Sequence, residues 1–313
     1  MTEVQITELL SALNAAEIPA FRDYPLAPET SFRIGGPADI AVKPETEAQL
    51  ATAVFLLKKQ NIPFYPVGKA SNLLFDDAGF RGAVLFCGGL KGLSVQGNTL
   101  TAACGETLTG TAAHACEAGL SGLEFAFGIP GSVGGGVCMN AGAYGGEIAA
   151  VLESCRLLDT GTLEIAEKTN EEMRFSYRHS LVSDRPEYLV LSAVFRLSAG
   201  DKAQIRAQMD DLMRRRREKQ PLEYPSAGSV FKRPAPDVYM GRLIEEAGLK
   251  GTSIGGAAVS PKHAGFIVNT GNAAAADVRA LVRLVQDRIR ERNGFVPECE
   301  IKWIPAEPTE KNE

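Results

Sequence analysis

The chain has 313 residues, of which 45% are apolar and 23% are charged, and its formal net charge is −5. These values are ordinary for a globular protein of about two domains and exclude a disordered chain. The acidic balance argues against general nucleic-acid binding. The N-terminal segment is acidic and amphipathic, and no run of 18 apolar residues occurs, so we expect neither a secretory signal nor a membrane span.

The spacing of apolar residues predicts alternating helices and strands along the chain. The predicted helices cover residues 3–16, 46–60, 107–118, 201–219, 238–247 and 275–292. The predicted strands cover residues 38–43, 63–67, 83–86, 151–158, 188–197, 254–259, 265–268 and 298–304, with short β runs in 92–105 and a polar loop between the strands at 151–158 and 188–197. This order indicates an α+β or α/β arrangement, and Pro221–Pro225 is the best domain boundary.

Six cysteines stand at positions 87, 104, 116, 138, 155 and 299, and none forms a C-x-x-C pair. Most lie in apolar contexts. We therefore predict buried, reduced thiols, no metal site and a cytosolic compartment.

Glycine is enriched, with 32 residues or about 10% of the chain against an average near 7%. Two glycine-rich loops follow predicted elements, Gly68–Asn72 and residues 128–146. The first is not a P-loop, because Ala70 stands where that motif needs Ser or Thr, and the glycines of the second do not match G-x-G-x-x-G. Each loop alone fits a tight turn, whereas both together favour a phosphate cradle of backbone N–H groups.

The two loops, VGKASNLLF (67–75) and GIPGSVGGGVCMNAGAYGG (128–146), resemble the flavin-binding core of the MurB family, the UDP-N-acetylenolpyruvoylglucosamine reductases of bacterial peptidoglycan synthesis. Alone, they would indicate only the wider family of FAD domains shared with vanillyl-alcohol oxidase. Further MurB-like motifs follow in the same order: TSFRIGGPAD (30–39), YRHS (177–180), KQPLEYPSAGSVFKRP (219–234), KHAGFIVN (262–269) and ECEIKWI (298–304). The short interval from Arg178 to Ser229 resembles the compact branch of the family, which lacks an extra substrate-covering loop.

The resemblance implies an α+β fold with an FAD-binding part of the vanillyl-alcohol oxidase (PCMH) type. That part would comprise two subdomains, 1–83 and 84–220. A C-terminal α+β substrate-binding domain would cover 221–297, and the final segment, 298–313, would return to the second subdomain.

The same resemblance implies non-covalent FAD and NADPH as hydride donor. The flavin hydride would add to C3 of the enolpyruvyl group, while the protein stabilises charge at C2 and delivers a proton there. The positions that match the family's cofactor site are Gly68, Lys69, Ala70, Ser71, Asn72, Pro130, Gly131, Ser132, Gly134, Gly135, Asn140 and Ala141. Many members carry glycine where Ala70 stands, and alanine is tolerated there if its φ is negative.

Three residues match the family's catalytic set. Ser229 matches the proton donor and Arg178 the active-site arginine, although a turn serine and a surface arginine would look the same in isolation. In the last strand, period-2 alternation places Glu298 and Glu300 on one face, so spacing alone does not choose between them. The motif alignment chooses Glu300.

Three further positions are candidates for substrate binding. Lys219 aligns with a lysine expected at the substrate diphosphate, and His263 is a candidate for the substrate side. Arg233 stands where some members carry asparagine, so its nucleotide contact is open. The preceding run Arg214–Arg217 is typical of a solvated helix end. Its only expected role in function is to help attract the UDP group.

The sequence thus favours a cytoplasmic, monomeric enzyme that acts on a UDP-sugar and binds neither nucleic acid nor membrane. Two alternatives stay open at this point. One is another flavoenzyme of the wider family, such as an oxidase that uses oxygen. The other is a non-catalytic protein that retained the FAD fold.

Overall fold

The computed structural model describes residues 1–305, so residues 306–313 of the predicted final segment lie outside the described part. The helices are α1 (Glu3–Ala15), α2 (Glu47–Lys59), α3 (Leu108–Glu117), α4 (Val133–Cys138), α5 (Leu181–Asp184), α6 (Lys202–Lys219), α7 (Met240–Glu246) and α8 (Ala275–Asn293). The strands of the first half are β1 (Ala20–Pro25), β2 (Pro37–Val42), β3 (Phe64–Val67), β4 (Leu73–Phe75), β5 (Phe80–Phe86), β6 (Leu93–Gln96), β7 (Thr99–Ala103), β8 (Leu120–Ser121), β9 (Gly142–Ala143) and β10 (Gly146–Glu147). Those of the second half are β11 (Leu152–Asp159), β12 (Ile165–Thr169), β13 (Tyr188–Arg196), β14 (Ser198–Ala199), β15 (Ser226–Ser229), β16 (Ser253–Ile254), β17 (Ala257–Val259), β18 (Phe266–Asn269) and β19 (Lys302–Ile304).

The chain divides into two compact units. Among the described residues, the first unit comprises 1–23, 39–69 and 81–216, and the second comprises 24–38, 70–80 and 217–305. The first unit contains the antiparallel sheet β12–β11–β13–β7–β6 and most of the sheet β1–β2–β5–β3, in which β3 and β5 are parallel.

Helices α1 and α2 show why the first unit folds as its sequence predicts. Thr2 and Gln5 form a capping box at the start of α1, and Thr46 caps α2. The buried side chains recur every three or four residues, and each fully buried leucine contributes roughly 1.5–3 kcal/mol. These side chains are Ile6, Leu9 and Leu13 in α1 and Leu50, Ala53, Val54 and Leu57 in α2.

The second unit has its own core around the antiparallel sheet β15–β18–β17–β16. Helix α8 contacts β16 and β17, and it ends at Gly294, whose φ of +79° suits a residue without a Cβ. Its start is held by the carboxylate of Asp77, which accepts hydrogen bonds from the N–H groups of Ala275 and Ala276. Strand β19 pairs in parallel with β4, also within this unit.

Most predicted elements are confirmed, whereas the short strands β1 and β4 were not predicted. The polar loop after residue 158 contains strand β12, and the glycine-rich stretch contains helix α4. The predicted last strand is shorter, Lys302–Ile304, and its partner β4 belongs to the range 1–83 rather than to 84–220. This pairing differs from the expected return to the second subdomain, whereas the three-part division itself stays a prediction.

All six cysteines are free thiols, as predicted, but three are only half-buried: Cys87, Cys138 and Cys299. Burial raises the pKa of Cys104 to about 12, which keeps that thiol protonated at neutral pH. Among the helices of residues 1–305, none combines the length and the apolar character needed to cross a membrane.

Candidate active site

The first glycine-rich loop, Gly68–Asn72, presents backbone donors that the protein itself does not use. Within residues 1–305, none of its five N–H groups donates a hydrogen bond to another residue. Ser71 and Asn72 are half-buried and Ala70 is buried. Partly buried N–H groups without an internal partner are costly unless a ligand or water accepts from them. A run of such donors suits the oxygens of a diphosphate, so this loop fits the phosphate cradle expected for FAD.

The second glycine-rich loop contains Pro130, Gly131, Ser132, Gly134 and Gly135 and leads into α4. Its backbone donors are largely engaged inside the first unit. The N–H groups of Gly131, Gly134 and Gly135 donate to Ile129 O, Cys104 O and Ser132 Oγ, respectively. These three donors are therefore engaged within the protein, and the predicted contribution of this loop to the cofactor site stays a prediction.

Close packing against neighbouring side chains explains why glycine occupies positions 134 and 68. A Cβ on Gly134 would lie 2.9 Å from the Cβ of Cys104, and one on Gly68 would lie 1.9 Å from Ser132 Oγ. Gly68 and Ser132 therefore bring the two glycine-rich loops together. The glycine at 134 is thus required by packing against Cys104, and its predicted role at the FAD diphosphate stays a prediction.

The condition under which alanine is tolerated at position 70, a negative φ, is not met, because the φ of Ala70 is +45°. This left-handed conformation costs a residue with a Cβ about 1–2 kcal/mol. The backbone here has the geometry for which glycine is best suited.

Ala70→Gly should therefore stabilise the protein by about 0.5–1 kcal/mol, since relief of the left-handed strain outweighs the entropy of glycine in the unfolded chain. Urea unfolding measures the change. Ala118→Gly is the matched control, because Ala118 is exposed and has a φ of −80°. The control should lose stability, and a loss at Ala70→Gly as well would contradict the strain argument.

Arg178 lies in a tight turn of the first unit. Ser176 and His179 exchange backbone hydrogen bonds of 3.2 and 3.1 Å across the turn, and the φ of Arg178 is +56°. Its guanidinium lies 5.0 Å from the centre of the Tyr177 ring and donates to Gly142 O at 3.4 Å. The cation is half-buried and fixed in direction, as the binding of an anionic group requires.

Arg216 is a residue of this region that the sequence interpretation missed. Arg214 and Arg215 are exposed and pair with Asp211, as a solvated helix end predicts. Arg216 instead turns inward and donates to Gly128 O, its Nε is buried without a hydrogen-bond partner, and burial lowers its pKa.

Helical spacing could have identified Arg216, because Met209 and Leu212 are buried on the same face at i−7 and i−4. An unpaired guanidinium N–H beside the second glycine-rich loop suits an anionic or carbonyl ligand atom.

Ser229 ends β15 in the second unit, next to a register shift in the pairing with β18. Ser229 is opposite Phe266, whereas Ser226 is opposite Val268. Gly228 has a φ of +79°, and no atom lies within 4 Å of the position that its Cβ would take. Ser229 is half-buried, and open space lies beside the neighbouring Gly228.

Glu300 lies next to this strand, and the two glutamates of the final segment differ in their surroundings. The N–H of Glu300 donates to Val230 O at 2.7 Å, so the chain at Glu300 runs beside Ser229. Asn72 Nδ2 donates to Glu300 O at 3.0 Å. The Glu298 side chain is 72% exposed and pairs with Lys232, whereas Glu300 is half-buried.

The three predicted substrate residues lie in the second unit. Lys219 is exposed at the end of α6. Arg233 is exposed, and its guanidinium lies 5.6 Å from the centre of the Tyr239 ring. His263 packs edge-to-face on Phe266, the residue opposite Ser229, with ring centroids 5.0 Å apart.

The contacts of His263 fix its protonation state. Its Nδ1 accepts from the N–H of Gly265, and burial lowers its pKa. At neutral pH His263 is therefore uncharged and carries its proton on Nε2.

Two models of known protein families match this chain, one in each half. A family model described as an FAD binding domain matches residues 38–165, and one described as the C-terminal domain of UDP-N-acetylenolpyruvoylglucosamine reductase matches residues 220–304. The expected fold class, an α+β FAD-binding domain of the PCMH type followed by a separate C-terminal domain, is confirmed.

Full-length relatives extend this match. The UDP-N-acetylenolpyruvoylglucosamine reductase of Caldanaerobacter subterraneus subsp. tengcongensis is 43% identical over 97% of this chain and 99% of its own. That of Caldicellulosiruptor bescii is 47% identical over 93% of each. The crystal structure of UDP-N-acetylenolpyruvylglucosamine reductase (MurB) from Thermus caldophilus is 34% identical, covers 91% of this chain and 98% of that one, and superimposes with a TM-score of 0.78. The chain belongs to the MurB family of UDP-N-acetylenolpyruvoylglucosamine reductases.

Proposed function

We infer that this protein reduces UDP-N-acetylenolpyruvoylglucosamine to UDP-N-acetylmuramate with NADPH, in the synthesis of bacterial peptidoglycan. Identity of 43% across nearly the whole length of a curated reductase carries this conclusion. When bound, FAD would supply the hydride-transfer chemistry that links NADPH to C3 of the enolpyruvyl group. The protein must bind both substrates and provide the proton.

The proton donor that we propose is Ser229. Its half-buried position on a bulged strand and the open space beside the neighbouring Gly228 support this role. A serine is a weak acid in water, but the carbanion that develops at C2 is a strong base. A positioned hydroxyl can therefore complete the addition across the double bond.

Arg178 and Glu300 complete the proposed catalytic set. The fixed guanidinium of Arg178 would bind the substrate carboxylate, into which charge spreads from C2. Glu300 would support that charge by hydrogen bonding. Its half-buried position, compared with the exposed, lysine-paired Glu298, favours it for this role.

The ligands are assigned by their chemistry. The free backbone donors of Gly68–Asn72 would hold the diphosphate of FAD, and the buried guanidinium of Arg216 would add a positive charge to the cofactor side. Lys219, Arg233 and the Nε2–H of His263 are the proposed contacts for the UDP group.

Several broader features remain part of the proposal. These are the three-part division at 83/84 and 220/221 and membership of the compact branch. We also propose a monomer in the cytoplasm. Gel filtration with light scattering tests the oligomeric state.

A spectrophotometric assay tests the function. The purified protein should be yellow, and it should consume NADPH rapidly only when the enolpyruvyl sugar nucleotide is present. Rapid NADPH consumption with oxygen alone would indicate an oxidase, and absence of turnover with a bound flavin would indicate a non-catalytic protein.

Lys219→Ala should raise KM for the sugar nucleotide about 10–100-fold with little change in kcat. A charge-assisted contact of roughly 1.5–3 kcal/mol to the diphosphate would be lost equally in the ground and transition states. Steady-state kinetics at saturating NADPH measure both constants. Lys202→Ala, at the opposite end of α6, should leave both unchanged. A normal KM with a reduced kcat would contradict a binding role for Lys219.

A further inference from the structure

The direction of the Arg178 side chain depends on residues outside its own turn. The left-handed backbone of Arg178 is unfavourable for an arginine, so its neighbours must hold it in place. The two turn hydrogen bonds fix only the local hairpin between Ser176 and His179. The bond to Gly142 O holds the guanidinium itself, and contacts between this hairpin and the rest of the first unit position the backbone from which the side chain extends.

Asn140 provides such a contact. Its side-chain Nδ2 donates to Ser176 O at 3.0 Å, and its Oδ1 accepts from the N–H of Ala149 at 2.9 Å. Because Ala149 offers a donor and Ser176 an acceptor, the amide fits in this orientation only. Asn140 is 1% exposed, and its φ of +42° is one that asparagine tolerates better than most residues.

The carbonyl of Ser176 takes part both in the turn and in the contacts of the Asn140 side chain. It accepts from His179 N–H, within the turn, and from Asn140 Nδ2, outside it. On the other side of Arg178, Ser180 Oγ donates to Cys138 O at 2.8 Å. The hairpin is thus fastened before and after Arg178 to the short segment Cys138–Asn140.

We propose that Asn140 is a positioning residue for Arg178 and not a direct ligand of the cofactor. Both functional ends of its amide are engaged within the protein, which leaves at most its backbone for FAD. This inference rests on the carboxylate-binding role proposed for Arg178. A displacement of about 1 Å can cost roughly 10²-fold in rate, so loss of one fastening bond is sufficient to impair the substrate step.

Two variants remove the donor to Ser176. Asn140→Asp keeps an acceptor for Ala149 and tolerates the left-handed backbone. Asn140→Gly removes the amide without adding strain and serves if the aspartate variant does not fold. Both should retain FAD, judged by the ratio of absorbance at 450 and 280 nm, and should reduce it with NADPH at near-normal rate. The kcat/KM for the sugar nucleotide should fall about 10–100-fold.

A double-mutant cycle separates positioning from general damage. If Asn140 acts through Arg178, adding Asn140→Asp to Arg178→Ala should change kcat/KM less than about twofold. Binding of the product UDP-N-acetylmuramate, measured by calorimetry, should weaken in both single variants and no further in the double variant. Gln49→Ala is the matched control, because the Gln49 amide also donates to a backbone carbonyl, Glu17 O, and accepts from a backbone N–H, that of Glu45, in the same unit. It should affect stability but not kcat/KM.

The outcomes are distinct. Loss of FAD from folded Asn140 variants would restore the cofactor-ligand role, and additive effects in the double variant or unchanged kcat/KM would also overturn the inference. If Arg178→Ala itself has a normal kcat/KM and normal product binding, the role proposed for Arg178 fails instead.

Discussion

Ser229→Ala is expected to separate the two half-reactions of the enzyme. Reduction of the flavin by NADPH requires stacking of two rings and no proton from Ser229, so the flavin should bleach at near-normal rate. Reoxidation by the enolpyruvyl substrate needs a proton at C2, and the hydroxyl that we propose as its donor would be absent. Loss of a general acid typically costs about 10²–10⁴-fold. Stopped-flow absorbance at 450 nm follows each half-reaction separately.

Two further variants sharpen this test. Ser229→Cys should recover part of the rate, because a thiol can also donate a proton. Ser226→Ala, on the same strand, should behave like the unmodified protein. Slow flavin reduction with intact reoxidation in Ser229→Ala would identify Ser229 as an NADPH-binding residue and refute the proton-donor role.

The sequence predicts the fold well where apolar residues repeat with a clear period. Helix α2 and strand β2 appear at the predicted positions, because the spacing of their apolar residues along the chain identifies the buried face. Helix α4 was missed, since its sequence VGGGVC is poor in helix-forming residues and the helix is held by Ser132 and by close packing. Strand β12 was missed because its alternating face is largely polar and exposed.

The candidate site was predictable in part. The motifs locate Ser229 and Glu300, and the backbone bond from Glu300 to Val230 shows that distant segments of the second unit meet there. Sequence alone does not report which N–H groups are already engaged, so it treated both glycine-rich loops as one cradle. It also predicted a solvated Arg216 and left the φ of Ala70 open, because the direction of a side chain and a positive φ depend on tertiary contacts.

Arg178→Ala should reduce kcat/KM for the sugar nucleotide about 10²–10³-fold. Removing one donor to a developing oxyanion typically costs that much, and the carboxylate that accepts charge from C2 would lose its fixed partner. Flavin reduction by NADPH should change far less, since no carboxylate is involved. Because alanine and arginine are both strained at a φ of +56°, the substitution adds no backbone cost that could mimic a catalytic defect.

Arg178→Lys and a second arginine decide whether the effect is specific. Lysine keeps the charge but lacks the planar fork and cannot bind a carboxylate through two parallel N–H groups, so it should restore only a small part of the loss. Arg174 is exposed in the same loop and has a φ of +50°, so Arg174→Ala removes an equal charge from an equally strained residue. It should leave kcat/KM unchanged. An equal loss in Arg174→Ala would mean that the loop attracts the anionic substrate through its net charge, and Arg178 would then have no specific role at the reacting carboxylate.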